Sequence, residues 1–248
     1  MSKFQGDAAP QHVAIVGLGP SSKAYFELVK QLGGRRALAD ETWAINALGD
    51  VLACDRIFHM DDVAVQEARA AAKPKSNIAR MLEWMRQHPG PIYTSVVRPG
   101  YPGLVPFPLE DVLNAGGVPY FNNTVAYAIA YARFIGVRKL SLYGVDFTRP
   151  NIHQGEQGRA CCEFWLGLCT ADGIEIDLPD ATTLMDACAT DEHPWFYGYD
   201  GVDLALGDGP EGAVTVTTTP RELPSAAEVE HRYDHSRHPN RLIDGGKA

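Results

Sequence analysis

The stretch His12-Val13-Ala14-Ile15-Val16-Gly17-Leu18-Gly19-Pro20-Ser21-Ser22 sets a short β-branched run directly before a glycine turn. A continuous apolar run of that length suits a strand buried on both faces of a parallel sheet. Beyond the turn, Tyr25, Leu28, Val29 and Leu32 recur at helical spacing. Ser21 or Ser22 is placed to cap that helix, and Gly33-Gly34 ends it. Strand, tight turn and helix in this order open a βαβ unit.

The alternation continues outward. Residues 42–46 and 56–60 read as the second and third strands, 63–72 and 78–87 as helices, and 91–95 as a further strand. Residues 98–108, rich in Pro and Gly, read as a loop. Residues 125–134 are apolar almost all round, as in a helix covered on several sides, with Asn123 or Thr124 as its cap and Gly136 as its stop. Residues 139–146 form the next strand, ending in Asp146, residues 156–169 a long amphipathic helix, and residues 174–178 a final short strand. The expected fold is α/β, a single Rossmann-like domain whose mostly parallel sheet carries helices on both faces. It occupies residues 11–199, between a flexible N-terminal arm over 1–10 and an irregular, partly disordered C-terminal tail over 200–248.

Composition narrows the class. A chain of 248 residues that is 45% hydrophobic and 21% charged is an ordinary globular protein, not a disordered, fibrous or membrane chain. A net charge of -9 argues against broad adhesion to nucleic acid, while a local basic channel around Arg35, Arg36 and Arg138 stays open. The five cysteines, Cys54, Cys161, Cys162, Cys169 and Cys188, have no CxxC spacing, so buried thiols in a reducing compartment fit better than disulfides or zinc. No run of about 18 apolar residues occurs, and no basic segment leads into an apolar one, which predicts a cytoplasmic protein with no membrane partner.

A glycine turn between strand and helix exposes backbone N–H groups at the positive end of the helix dipole, a natural seat for phosphate. That assigns nucleotide binding to Gly17, Gly19, Pro20, Ser21 and Ser22. Ser22 stands where the dinucleotide fingerprint has its third glycine, and Asp40 and Glu41 precede the tip of the second strand, which weakens an NAD reading. The other strand ends add Asn46, His59 with Asp61 and Asp62, Ser95, and Asp146 with Thr148, a rim suited to a sugar or nucleoside. For Asn46 and Asp61 a capping or turn role weighs equally. His153, read as a loop residue ahead of the long helix, is the candidate general base, with an exposed loop histidine as the plainer alternative. Arg159 and Glu163 lie one helical turn apart and are expected to pair, although Arg159 also lies near enough the helix start to reach a phosphate or other substrate group.

The order of segments over residues 13–184 resembles the glycosyltransferase family 42 sialyltransferases and the related domain of unknown function 115, which includes archaeal hydroxymethylpterin pyrophosphokinases. Their Gly-Asn-Gly-Pro-Ser turn is matched by Gly17-Leu18-Gly19-Pro20-Ser21, and their nucleotide-contacting strand-end Asn by Asn46. Asn123-Thr124 matches a Thr-Ser helix start, and Gly144-Val145-Asp146-Phe147-Thr148 matches Gly-Ile-Asp-Phe-Tyr. His153 keeps the interval of the family's catalytic His to a Glu-Phe pair, here Glu163-Phe164. Leu18 and Thr148 depart from the family's Asn and Tyr. Chains of this layout are also similar to ones carried by bacteriophages, which implies a modified base or phage component as acceptor and the host cytoplasm as location.

The resemblance implies a metal-independent glycosyltransferase that takes a nucleotide-activated, CMP-type sugar donor, with His153 deprotonating a small-molecule, glycan or nucleic-acid acceptor and Asp146 orienting the donor hydroxyls or His153. Under the first alternative, ATP-dependent pyrophosphoryl transfer, Asp61, Asp62 and Asp146 hold magnesium. Under the second, the chain binds nucleotide without catalysis. A homo-oligomer is compatible with each.

Overall fold

The computed structural model describes residues 9–147, 152–187, 198–199 and 201–232. The chain divides into two compact units, Met1–Cys188 and Ala189–Ala248.

In the first unit the strands are β1 (His12–Val16), β2 (Glu41–Ile45), β3 (Arg56–Phe58), β4 (Ile92–Thr94), β5 (Leu104–Pro106), β6 (Lys139–Tyr143) and β7 (Glu175–Asp177). They form one sheet in the order β5-β4-β3-β2-β1-β6-β7, with every neighbouring pair parallel. The helices are α1 (Ser22–Leu32), α2 (Arg35–Leu38), α3 (Val63–Ala72), α4 (Asn77–Met85), α5 (Leu109–Asn114), α6 (Thr124–Ile135) and α7 (Ile152–Ala171). β1 lies inside the sheet, between β2 and β6, which is why Val13, Ala14, Ile15 and Val16 are all fully buried.

Alternation along the strands supplies two cores. Ile15, Trp43, Phe58 and Leu142 pack with α6 and α7 residues such as Ile129 and Trp165 on one face. Ala14, Val16, Ala44, Ile57 and Tyr143 pack with Tyr25 of α1 and Leu82 of α4 on the other. Strand order runs outward from β1 to β5 and then restarts beside β1 at β6, so α1 and α6 leave opposite faces and a crevice opens between the C-terminal ends of β1 and β6.

Three readings need correction. Within the stretch read as a loop over 98–108, Leu104–Pro106 pairs with β4 as an edge strand, where Pro106 can sit without disturbing an inner ladder. The segment read as a strand to Asp146 ends at Tyr143, because Gly144 turns the chain at φ +68. The long helix starts at Ile152, so His153 belongs to its first turn and not to a loop.

Three of the four described cysteines are buried as expected, whereas Cys54 is only half-buried. Cys161, Cys162 and Cys169 are buried on the inner face of α7 and unbridged, and burial pushes the Cys169 thiol up to about 12. Cys188 lies outside the described residues. Arg35 and Arg36 both pair with Asp55, so neither contributes an unpaired cation to a basic channel. Among the described residues no helix is long and apolar enough to cross a membrane.

In the second unit, within the stretch read as an irregular tail, β8 (Val202–Asp208) and β9 (Val214–Pro220) form an antiparallel hairpin, followed by α8 (Ala226–Arg232).

Candidate functional site

A cavity of about 280 Å³ lies at the reversal of strand order, lined by Gly17, Leu18 and Gly19 after β1, Ile45 and Asn46 after β2, Asn123 to Val125 at the start of α6, and Gly144 to Phe147 after β6. Its floor is a backbone contact. The Gly17 amide donates to the Tyr143 carbonyl at 2.7 Å and the Gly19 amide to the Gly144 carbonyl at 2.8 Å. A Cβ on Gly17 would stand 2.5 Å from the Gly144 oxygen. The glycines therefore serve close approach of two strand ends, and their N–H groups are spent inside the protein.

Most of the remaining backbone donors of this turn are also engaged. Ser21 N–H donates to Asp146 Oδ2 at 2.8 Å, Ser21 Oγ donates to Asp146 Oδ1, and Gly144 N–H donates to Ser21 Oγ at 2.8 Å. Ser22 N–H turns back to the Gly19 carbonyl at 3.1 Å, and Pro20, exposed, has no N–H to offer. Asp146 is 2% exposed and sits at the N-terminus of α1, where a phosphate was expected. It is an internal counter-anion for that helix, and both its oxygens are occupied. In the turn only the Leu18 amide has no partner among the described residues.

The N-terminus of α6 has the opposite character. Asn123 caps it, its Oδ1 accepting from Ala126 N–H at 3.0 Å, while its Nδ2 donates to Asn122 Oδ1 and to the Gly158 carbonyl, which fixes the amide's orientation. The next two amides, of Thr124 and Val125, precede the helical ladder and have no partner among the described residues. No acidic residue lies in the first turn. Two helices thus point their positive ends toward one crevice, one neutralised and the other open.

No family model matches the chain and no curated protein matches it. The site is therefore read from its geometry.

Asn46 reaches the cavity from a left-handed backbone position, φ +54, and its Oδ1 accepts from His59 Nδ1 at 3.1 Å, which leaves its NH₂ group for the cavity. His59 is 2% exposed, behind Asn46 and not in the lining. Its Nε2 and the neighbouring Thr94 Oγ1 are buried without a protein partner. Burial holds the His59 ring below its ordinary value near 6.5, with Asp61 acting in the opposite sense. The unfolded chain takes up this proton near the ordinary value and the fold only lower, so the stability His59 contributes is full above about pH 6.5 and declines on acidification. A melt at about pH 5.5 is expected to show a smaller loss for His59→Gln than for the natural chain, relative to about pH 7.5. Equal losses would remove His59 from the cause; His12 and His88, also lowered by burial, account for the residual slope.

The other expected residues fall outside the cavity. Asp62 caps α3, accepting from Ala64 and Val65 N–H at 2.7 and 3.2 Å, and Asp61 is exposed beside it. With Asp146 bound to Ser21, the three carboxylates assigned to magnesium do not converge, and among the described residues no cluster of His, Cys, Asp and Glu is built to hold a metal. Arg159 pairs with Glu163 at 3.7 Å and more closely with Asp186 at 2.9 Å. Thr148 lies outside the described residues. His153 is exposed on the first turn of α7. One residue on, Gln154 joins Gln157, Gly158, Asn122, Asn123 and Phe147 around a second cavity of about 310 Å³ that adjoins the first through Asn123 and Phe147.

Sequence reading marked Leu18 only as a departure from the family's turn and gave no site role to Val125 or Phe147. Val125 was recoverable only in part, since an Asn cap that accepts from the third amide, as Asn123 does from Ala126, leaves the second one spare. Phe147 had an indirect signal in Gly155 and Gly158, one turn apart on α7: a Cβ on Gly158 would collide with its ring and one on Gly155 with its carbonyl.

Proposed function

We propose that the chain is a nucleotide-dependent transferase whose donor lies in the cavity between β1 and β6, with its phosphate at the N-terminus of α6. The observation that carries this reading is the open helix end, where the Thr124 and Val125 amides and the nine-tenths buried Thr124 side chain face a crevice whose other helix end is already neutralised by Asp146. Among the described residues the lining contains no Lys, Arg or His. A lining whose described donors are dipoles suits a phosphodiester, with one charge, better than a triphosphate with its metal. That favours a CMP-type sugar donor over ATP, in line with the sialyltransferase-like order of segments.

In the corresponding reaction His153 takes the proton of an acceptor hydroxyl in the adjoining cavity. The acceptor oxygen bonds to the sugar's anomeric carbon as the bond from that carbon to phosphate breaks. The nucleoside monophosphate leaves with the electron pair, its growing charge met by the α6 amides. Asp146, with both its oxygens accepting from Ser21, holds the turn in place beside the donor.

The test is a thermal-shift panel of CMP, CDP, UDP, ADP, ATP, NAD and a pterin, each with and without magnesium. A cytidine nucleotide at about a hundred times its Kd is expected to stabilise by about 3 kcal/mol, raising the melting point by roughly 5–10 °C without magnesium. His153→Ala is expected to keep that shift. A shift confined to ATP with magnesium would favour pyrophosphoryl transfer, and no shift with any ligand would overturn nucleotide binding.

A further inference from the structure

The hairpin of the second unit has one guarded edge and one bare edge. All seven residues of β9 are exposed and none is charged, whereas β8 carries Asp203 and Asp208. Bonds from Gly209 N–H to the Ala213 carbonyl at 2.6 Å and from Arg221 N–H to the Gly201 carbonyl at 3.0 Å bracket the ladder and fix its phase. Gly207, Ala205 and Asp203 are thereby the hydrogen-bonded partners of Thr215, Thr217 and Thr219, and the amides of Val214, Val216 and Thr218 point away from β8. Val202, Leu204, Leu206, Val214 and Val216 share one face, on which Leu206, Val214 and Val216 are 57%, 69% and 57% exposed. An isolated two-stranded hairpin is marginal in water, and a charge-free edge of β-branched residues is a template for another strand.

We propose that β9 pairs antiparallel with β9 of a second copy of this chain, about a two-fold axis through Thr217. The edge is complementary to itself. In this register Val216 lies opposite the partner's Thr218 and exchanges two backbone bonds with it, and Val214 N–H reaches the carbonyl of the partner's Pro220. Pro220 has no N–H and so ends the ladder. No like charges meet, and Val–Thr pairs are favourable cross-strand neighbours. The pairing joins two apolar faces into one four-stranded sheet, and Asp208 on both outer edges, with Asp203 paired to Arg221 at 3.5 Å, stops growth at the dimer.

The experiment is sedimentation of the full chain over a dilution series. The natural chain is expected at twice the single-chain mass. Thr218→Pro removes only an outward amide and is expected to weaken association at least about tenfold, the loss carried by two missing bonds. Leu204→Pro removes the equivalent amide on β8 and is expected to leave the dimer intact. Val216→Lys brings two ammonium groups together across the axis and is expected to dissociate the dimer in low salt and restore it in high salt. A natural chain of single-chain mass at every concentration overturns the proposal. So does Thr218→Pro assembling like the natural chain, or Leu204→Pro dissociating as fully as Thr218→Pro.

Discussion

Gly144→Ala is expected to destabilise the first unit by about 4 kcal/mol or more, a loss of roughly 10 °C or more in melting temperature for a unit of this size. Two costs coincide. Gly144 has φ +68, a left-handed conformation that a β-carbon disfavours by about 1–2 kcal/mol. The added Cβ would also fall far inside van der Waals contact of the Gly17 carbonyl oxygen. That oxygen is backbone, anchored by the β1–β6 ladder, and has no rotamer by which to withdraw. Gly136→Ala is the control, since Gly136 has a similar φ of +79 with nothing within 4 Å of the added carbon. Circular-dichroism melts should separate the two widely. A Gly144→Ala melt within about 3 °C of the Gly136→Ala melt would mean that the strand ends are not in contact.

Asp146→Ala is expected to cost about 3 kcal/mol, and Ser21→Ala a similar amount, with the double variant well short of their sum. Removing the carboxylate strands the buried Ser21 amide and hydroxyl and returns the N-terminus of α1 to its uncompensated state. Removing the hydroxyl takes one of two donors from a buried carboxylate and the acceptor from the Gly144 amide. Because the same bonds are lost by either route, a coupling of about 1–3 kcal/mol should appear in a denaturant-melt cycle. Simple additivity would show that the two groups act separately. In Asp146→Ala, inorganic phosphate should also stabilise more than it does in the natural chain, because a second helix end becomes available to anions.

The parts of the fold that are legible in sequence are those whose reasons are local. Val13 to Val16 read as a central strand because burial on both faces demands a continuous apolar run, and α6 read as a covered helix because Asn123, the apolar residues after it and Gly136 supply cap, body and stop. β5 was hidden because prolines at 99, 102, 106 and 108 outweigh three residues of strand. Only an edge position on β4 makes Pro106 acceptable. The start of α7 was hidden because Gly155, just ahead of the expected helix, looks like a loop residue until the Phe147 carbonyl is seen lying against it.

The site divides in the same way. Gly17, Gly19, Asn46, Asn123, Thr124, Gly144 and Asp146 were all singled out, and the structure brings them around one cavity. What the sequence does not carry is the direction of the amides. The glycine turn has the composition of a phosphate seat, yet its donors go to Tyr143, Gly144 and Asp146, more than a hundred residues away. No local pattern reports a partner at that separation. His59 was visible as a polar strand end, but its place behind Asn46 follows only from the pairing of β2 with β3.

The union of Gly17 with Gly144 also bears on how a ligand is received. Two loops fastened main chain to main chain, with Ser21 and Asp146 locked beneath them, have little freedom left to lose. The floor of the crevice is preorganised, so under the transferase reading the ordering entropy of association falls mainly on the ligand, and slow steps in turnover should be insensitive to mild changes in the loops joined at Gly17.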